Sequence, residues 1–179
     1  DDRHRGTAAP GQVSTKQFVS PERKVNMKQI AANEKAPAFA RQEAHIDAPI
    51  QVVWSILTDF EKWPEWNESV KEMRFQGPVE AGAEFRWKAG GMRIRSRIEQ
   101  IASPFTIVWS GRTMGIRAIH SWTLTEEKNG TQARTEESFE GWLAWLFAGQ
   151  MRKALANALH QGLDALKNEA EKRGRATRD

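Results

Sequence analysis

The sequence predicts an α+β fold: a curved antiparallel sheet of about six or seven strands wrapped around a long C-terminal helix, with two short helices after the first strand. Three observations carry this. Between residues 69 and 140 apolar side chains recur at every second position, the period of a strand with one buried face. Gly90-Gly91 and Asn129-Gly130 punctuate that stretch as hairpin signals. After Gly141 the spacing changes to three and four, which describes the single long amphipathic element available to cover the sheet.

Taken in order, residues 1–20 are polar and aperiodic and read as a loosely packed tail. Residues 21–40 form a short helix and linker, with Val25, Met27, Ile30 and Ala31 at helical spacing over Glu22 to Lys35. Arg41 to Ile46 is the first strand. Asp47 then serves as an N-cap, with Pro49 in the first turn of a helix whose apolar face is Val52, Val53, Ile56 and Leu57. A turn-like segment rich in aromatics follows, Phe60 to Trp66. Strands are expected over Ser69–Gln76, Ala83–Lys88, Met92–Glu99, Phe105–Ser110, Ile116–Glu126 and Thr131–Glu140. The last helix, about 25 residues long, carries Met151, Leu155, Leu159, Gly162, Leu163 and Leu166 on one stripe and fades into Arg173-Gly174, leaving 174–179 as a tail.

A chain of 179 residues suits one domain able to bury a core without a staple. It has no cysteine, which removes disulfides, thiolate nucleophiles and cysteine metal sites, and which fits a cytoplasmic location. The first residues lack the order of a secretory signal, and no apolar run approaches the ~20 residues that cross a bilayer, so stable membrane insertion is not expected. The net charge of +4 resides in the ends. Residues 1–41 hold eight basic and four acidic side chains and residues 167–179 hold five and three, which leaves 42–166 with 14 and 16. A body of net charge −2 argues against nucleic acid as the partner. The basic stripe Arg93, Arg95 and Arg97, with Arg86, Lys88, Arg117 and Arg134, faces outward beside Glu84, Glu99, Glu136 and Glu140 and reads as a solvated, salt-bridged surface. No HExxH, GxSxG or phosphate-binding glycine loop occurs, and the histidines sit at no metal spacing, so neither a metal nor a cofactor is expected.

Four phrases carry a family resemblance: Ile46-Asp47-Ala48-Pro49-Ile50-Gln51-Val52-Val53-Trp54, the segment Leu57 to Asn67, the strand end Trp109-Ser110-Gly111, and Glu137-Ser138-Phe139-Glu140-Gly141 ahead of the last helix. Over residues 41–173 the chain resembles the SRPBCC superfamily, the START-like or helix-grip proteins, in the branch of polyketide cyclases/dehydrases and lipid-transport proteins. The resemblance implies a cavity for a hydrophobic ligand between sheet and helix, and Trp63 and Trp66 at one edge of its mouth. It does not imply one activity, because the superfamily spans carriers, cyclases, aromatases, coenzyme-Q-binding proteins and co-chaperone modules.

The ligand-facing candidates are Trp63 and Trp66; Phe85, Trp87, Ile94, Ser96, Trp109, His120, Trp122, Thr135 and Glu137 on the inner face of the sheet; and Met151, Leu155 and Leu159 on the helix. The aromatics among them serve equally as plain core. If Asn129-Gly130 is a two-residue loop between Lys128 and Thr131, Trp122 pairs with Glu137 and His120 with Phe139, which sets His120 and Glu137 diagonally on one face. A polar pair on an apolar face must find partners. It either fixes the sheet, orients a ligand's polar group, or transfers protons. The preferred function is binding, with transport as its use, of a lipid-like or polycyclic, polyketide-like molecule by a monomer, with a dimer as the alternative. The second is a cyclase or dehydratase using His120 and Glu137, and the third a protein-interaction module, which needs a large exposed apolar patch.

Overall fold

A computed structural model describes residues 30–176. One seven-stranded antiparallel sheet runs in the order β1-β7-β6-β5-β4-β3-β2. Its strands are β1 (Ala38–Ile46), β2 (Val70–Phe75), β3 (Glu84–Ala89), β4 (Met92–Ala102), β5 (Thr106–Thr113), β6 (Ile116–Glu127) and β7 (Gly130–Glu140). Helix α1 (Ile50–Thr58), a 3-10 turn (Phe60–Lys62) and helix α2 (Trp63–Trp66) lie between β1 and β2, and helices α3 (Trp142–Leu146) and α4 (Ala148–Ala176) follow β7. The strands from β2 to β7 are consecutive neighbours because short turns join them, and β1 closes the far edge on β7.

The inner face of the sheet packs on α1 and α4. Ile46, Ile50, Val53, Ile56, Leu57, Phe60, Phe85, Ile98, Leu124, Leu163 and Leu166 are almost fully buried in one cluster. A second cluster joins Leu155 and Leu159 of α4 to Ala38 and Ala40 of β1, where small residues let the helix approach the strand. None of the helices among the described residues is long and apolar enough to cross a membrane.

Several local expectations are corrected. The first strand begins at Ala38 rather than Arg41, because it pairs with β7 back to Phe139. The expected helix over Glu22–Lys35 lies mostly outside the described residues, and its described end, 30–35, is not helical. The N-cap of α1 is Pro49, not Asp47, and no side chain caps that end. The last helix runs 29 residues and is preceded by the separate α3.

The β6–β7 register is also shifted from the expected one. The hairpin closes with Glu127 opposite Gly130, so its loop is Lys128-Asn129 and His120 stands directly opposite Glu137. Gly130 belongs to the strand at φ +146°, where a Cβ would lie 2.2 Å from the Ile46 carbonyl oxygen of β1. The glycine is therefore needed for a close approach between strands, not for the turn itself.

Candidate functional site

Cross-strand pairing sets one row of the concave face as Ala40, Glu137, His120, Trp109 and Ile98, from β1 to β4. The next row carries Gln42, Thr135, Trp122 and Ile107. Where these rows, α2 and the middle of α4 diverge lies a cavity of about 100 Å3.

Its walls are aromatic. Trp63 is buried with its ring 5.6 Å from Trp109, 5.8 Å from Trp87 and 6.4 Å from Trp66. His120 stands between Trp109 at 4.6 Å and Trp122 at 5.9 Å, nearly parallel to the latter. The indole N–H of Trp63 donates to the Leu57 carbonyl at 3.0 Å, and that of Trp87 to Ser96 Oγ at 3.1 Å. The indole N–H groups of Trp66 and Trp122, also on the cavity wall, are buried and reach no acceptor among the described residues. Leaving such a donor unsatisfied costs about 1–3 kcal/mol.

The polar pair adds two more hydrogen-bonding groups. His120 Nε2 lies 2.8 Å from Thr135 Oγ1, and His120 Nδ1 lies 3.5 Å from Glu137 Oε2. Burial disfavours the charged form of each. It lowers the His120 imidazolium to about 3 and raises the Glu137 carboxyl to about 8. At neutral pH the pair therefore holds one proton, on the carboxyl. The neutral imidazole has one N–H: on Nε2 it donates to Thr135 Oγ1 and leaves Nδ1 an acceptor facing Glu137, and on Nδ1 it leaves Nε2 to accept from the Thr135 hydroxyl. The 3.5 Å separation is long for a direct hydrogen bond, so the carboxyl can turn to another acceptor in the cavity.

The sequence-derived candidates divide into two groups. Trp63, Trp66, Trp87, Trp109, His120, Trp122, Glu137 and Leu159 line the cavity together. Phe85 lies in the core beneath it, Ser96 and Thr135 are buried and hold wall residues by hydrogen bonds, and Met151 and Leu155 pack on β1 instead. Ile94 faces a groove with Arg93, Arg95 and Arg112 and takes no part in the site. Sequence reasoning missed Leu57, Asn67, Ser69, Val70, Ala89, Ala158 and Gly162. Asn67 Oδ1 accepts from both the backbone N–H and Oγ of Ser69, which shapes the rim after α2. Gly162 interrupts the apolar stripe of α4 opposite Asn67, and a glycine inside such a stripe is the one signal that marks space on the helix. Among the described residues no cluster of His, Asp and Glu is arranged to hold a metal ion.

The architecture is shared with solved structures of low sequence identity. A hypothetical protein from Helicobacter pylori aligns with a TM-score of 0.68 at 16% identity, over 93% of this chain and 99% of that one. A START superfamily protein from Mycobacterium smegmatis aligns at 0.65 and 16%, over 75% and 97%. The di-domain ARO/CYC StfQ from the steffimycin biosynthetic pathway aligns at 0.65 and 15%, over 76% of this chain and 52% of that one. These likenesses establish the helix-grip fold. No curated protein matches the sequence. Residues 38–171 match the family model described as polyketide cyclase / dehydrase and lipid transport, and with its curved sheet and gripping helix the chain belongs to that family, in the START-like SRPBCC superfamily.

Proposed function

We propose that this domain binds a hydrophobic small molecule bearing an oxygen acceptor, of lipid or polyketide-like character, between the sheet and α4, and carries it without transforming it. The observation that carries the reading is the pair of indole N–H groups, Trp66 and Trp122, buried on an aromatic cavity wall without an acceptor. Beside them the neutral Glu137 carboxyl supplies a third donor. A carbonyl or hydroxyl oxygen satisfies such donors while the rings cover the ligand's apolar body. The cavity of about 100 Å3 is below the ~300 Å3 of ordinary small-molecule sites, so a ligand enters by displacing the rim of α2 around Trp66.

Native mass spectrometry of gently purified protein, followed by competition with Nile red, tests this. We expect a co-purifying apolar adduct, and Nile red binding weakened about tenfold or more by Gly162→Leu, which fills the helix side of the cavity. Replacing Trp122 with Phe removes one donor and weakens binding of a carbonyl ligand roughly threefold to tenfold. Unchanged binding in both variants contradicts the site.

One observation favours a second reading, a dehydratase- or cyclase-like enzyme. His120 and Glu137 share a single proton in a buried site, the neutral imidazole as base and the neutral carboxyl as acid. His120 would take a proton from the carbon beside a carbonyl while Glu137 protonates a departing β-hydroxyl. The products are an unsaturated carbonyl compound and water, and imidazolium-to-carboxylate transfer resets the pair. Turnover of a β-hydroxy polyketide that survives both His120→Ala and Glu137→Gln rules this out.

A further inference from the structure

The convex face of the sheet carries a row that the concave site does not use. Cross-strand pairing places Arg74, Arg86, Arg95, Arg112 and Arg117 directly opposite one another in succession across β2 to β6, and the row ends on Glu140 of β7. All five arginines are exposed. Arg117 pairs with Glu140, and Arg95 reaches Glu84 only at 3.8 Å. Arg74, Arg86 and Arg112 form no ion pair among the described residues. Like charges on directly paired positions repel, so the row carries an unfavourable term that the fold itself does not relieve.

The row leads into an apolar tip. A groove joins Arg95, Arg112 and Arg117 to Met114 and Gly115 of the β5–β6 turn and to Gly141 at the start of α3. Met114 is 76% exposed, and on α3 and the residue after it Trp142 is 66%, Trp145 75%, Leu146 57% and Phe147 43% exposed. Trp142 is seated on the turn, where a Cβ on Gly115 would lie 2.5 Å from its indole nitrogen. The helix and the turn therefore form one continuous projection of large apolar side chains rimmed by arginine.

We propose that this tip and the arginine row dock the protein on the surface of an anionic phospholipid bilayer. Phosphate and carboxylate headgroups neutralise the arginines, and the tryptophans and leucine enter the headgroup–acyl boundary, where indole is favoured. A nucleic acid meets the arginines equally well but has no hydrocarbon layer for Trp145, Leu146, Phe147 and Met114. Helix α3 has only five residues, so it lies at the interface and does not span it. The inference concerns a surface and stands whether or not the cavity takes a ligand.

Cosedimentation of the full chain with vesicles tests it, comparing phosphatidylcholine alone with phosphatidylcholine containing roughly one third phosphatidylserine. We expect the protein to pellet with the anionic vesicles, with binding weakened by added salt. The double variant Trp145→Ser, Leu146→Ser should lower the vesicle affinity by about tenfold or more, and Arg112→Gln by about fivefold. All three positions are exposed, and unchanged melting curves confirm that these variants stay folded. Equal binding to both vesicles, or undiminished binding by the double variant, overturns the proposal. A higher affinity for a single-stranded DNA oligonucleotide than for anionic vesicles overturns it in favour of nucleic acid. Self-association through the tip without vesicle binding overturns it in favour of a second copy of this chain.

Discussion

On the concave face, the row from Ala40 to Ile98 passes through a carboxyl and an imidazole that burial has made neutral. On the convex face of the same strands, the row from Arg74 to Arg117 sets five cations side by side and leaves them charged. The residues differ by a few positions along each strand, and the pairing rules are the same. Solvent makes the difference. Water at the convex face screens the arginines until repulsion is small, whereas the concave side offers only indole rings and α4. One sheet thus supports a site that holds a shared proton in a buried cavity and a surface that awaits a counter-charge.

The largest contrast between the faces should appear in stability. Phe60 sits with its ring 4.8 Å from Trp63, 5.0 Å from Phe75 and 4.8 Å from Phe85, fully enclosed. Truncation to alanine should cost about 3–5 kcal/mol in urea unfolding. Arg86→Ala, across the sheet, should stay within about 0.5 kcal/mol. A comparable loss at Arg86 would show that the convex row is structural.

The next effect tests the neutral pair through its pH dependence. In the unfolded chain His120 titrates at its ordinary 6.5 and Glu137 at 4.5, but in the folded protein at about 3 and about 8. Between about 4.5 and 6.5 both states hold one proton on this pair, on the imidazole when unfolded and on the carboxyl when folded, so its contribution to stability is flat. From 6.5 to 8 only the folded state keeps a proton, and stability falls with rising pH by about 1.4 kcal/mol per unit, roughly 2 kcal/mol in all. From 4.5 down to 3 the unfolded state holds the extra proton, and stability falls as pH falls. Glu137→Gln should abolish the alkaline limb and move the start of the acid one up from about 4.5 to about 6.5, because only the unfolded imidazole then holds a proton between those values. An alkaline limb that persists in the variant assigns the loss to other groups.

The extent to which this was legible in the sequence follows from what is local. Alternation along β3 to β7 and the stripe on α4 are local properties, and they define both the fold and the face on which Trp87, Trp109, His120, Trp122 and Glu137 lie. The β6–β7 register was not legible, because Gly130 answers to the Ile46 carbonyl of a strand more than 80 residues earlier. Met151 and Leu155 share the stripe of Leu159, yet they meet Ala38 and Ala40 because α4 lies close on β1 before it diverges at Leu159 and Gly162. No pattern on the helix records that divergence. The apolar run Trp142–Ala148 likewise does not declare in its sequence whether it faces the core or water.

Gly162 offers a smaller and opposite effect. A Cβ at this position would find Asn67 Nδ2 nearest, at 3.9 Å, an ordinary contact. Gly162→Ala should therefore stabilise the protein by roughly 0.5–1 kcal/mol, the usual gain from replacing a helix-interior glycine. A loss instead would mean that α4 and the α2 rim are closer packed than the cavity implies. Thermal unfolding with and without Nile red separates this gain from any loss of ligand space.

The smallest effect bears most directly on the convex row. Arg112 stands between Arg95 and Arg117 with no carboxylate partner among the described residues. Replacing it with glutamate converts two repulsive cross-strand pairs into attractive ones, each worth a few tenths of a kcal/mol at an exposed position. Arg112→Glu should therefore stabilise the fold by about 0.5 kcal/mol at low ionic strength, and the gain should shrink as salt rises and screening shortens the reach of the charges. The same substitution should weaken binding to anionic vesicles. A variant that is more stable yet binds anionic lipid less well would show that the arginine is kept for an external partner and not for the sheet. If stability is unchanged at low salt, the arginines already lean apart far enough that pairing on the backbone does not bring their charges together.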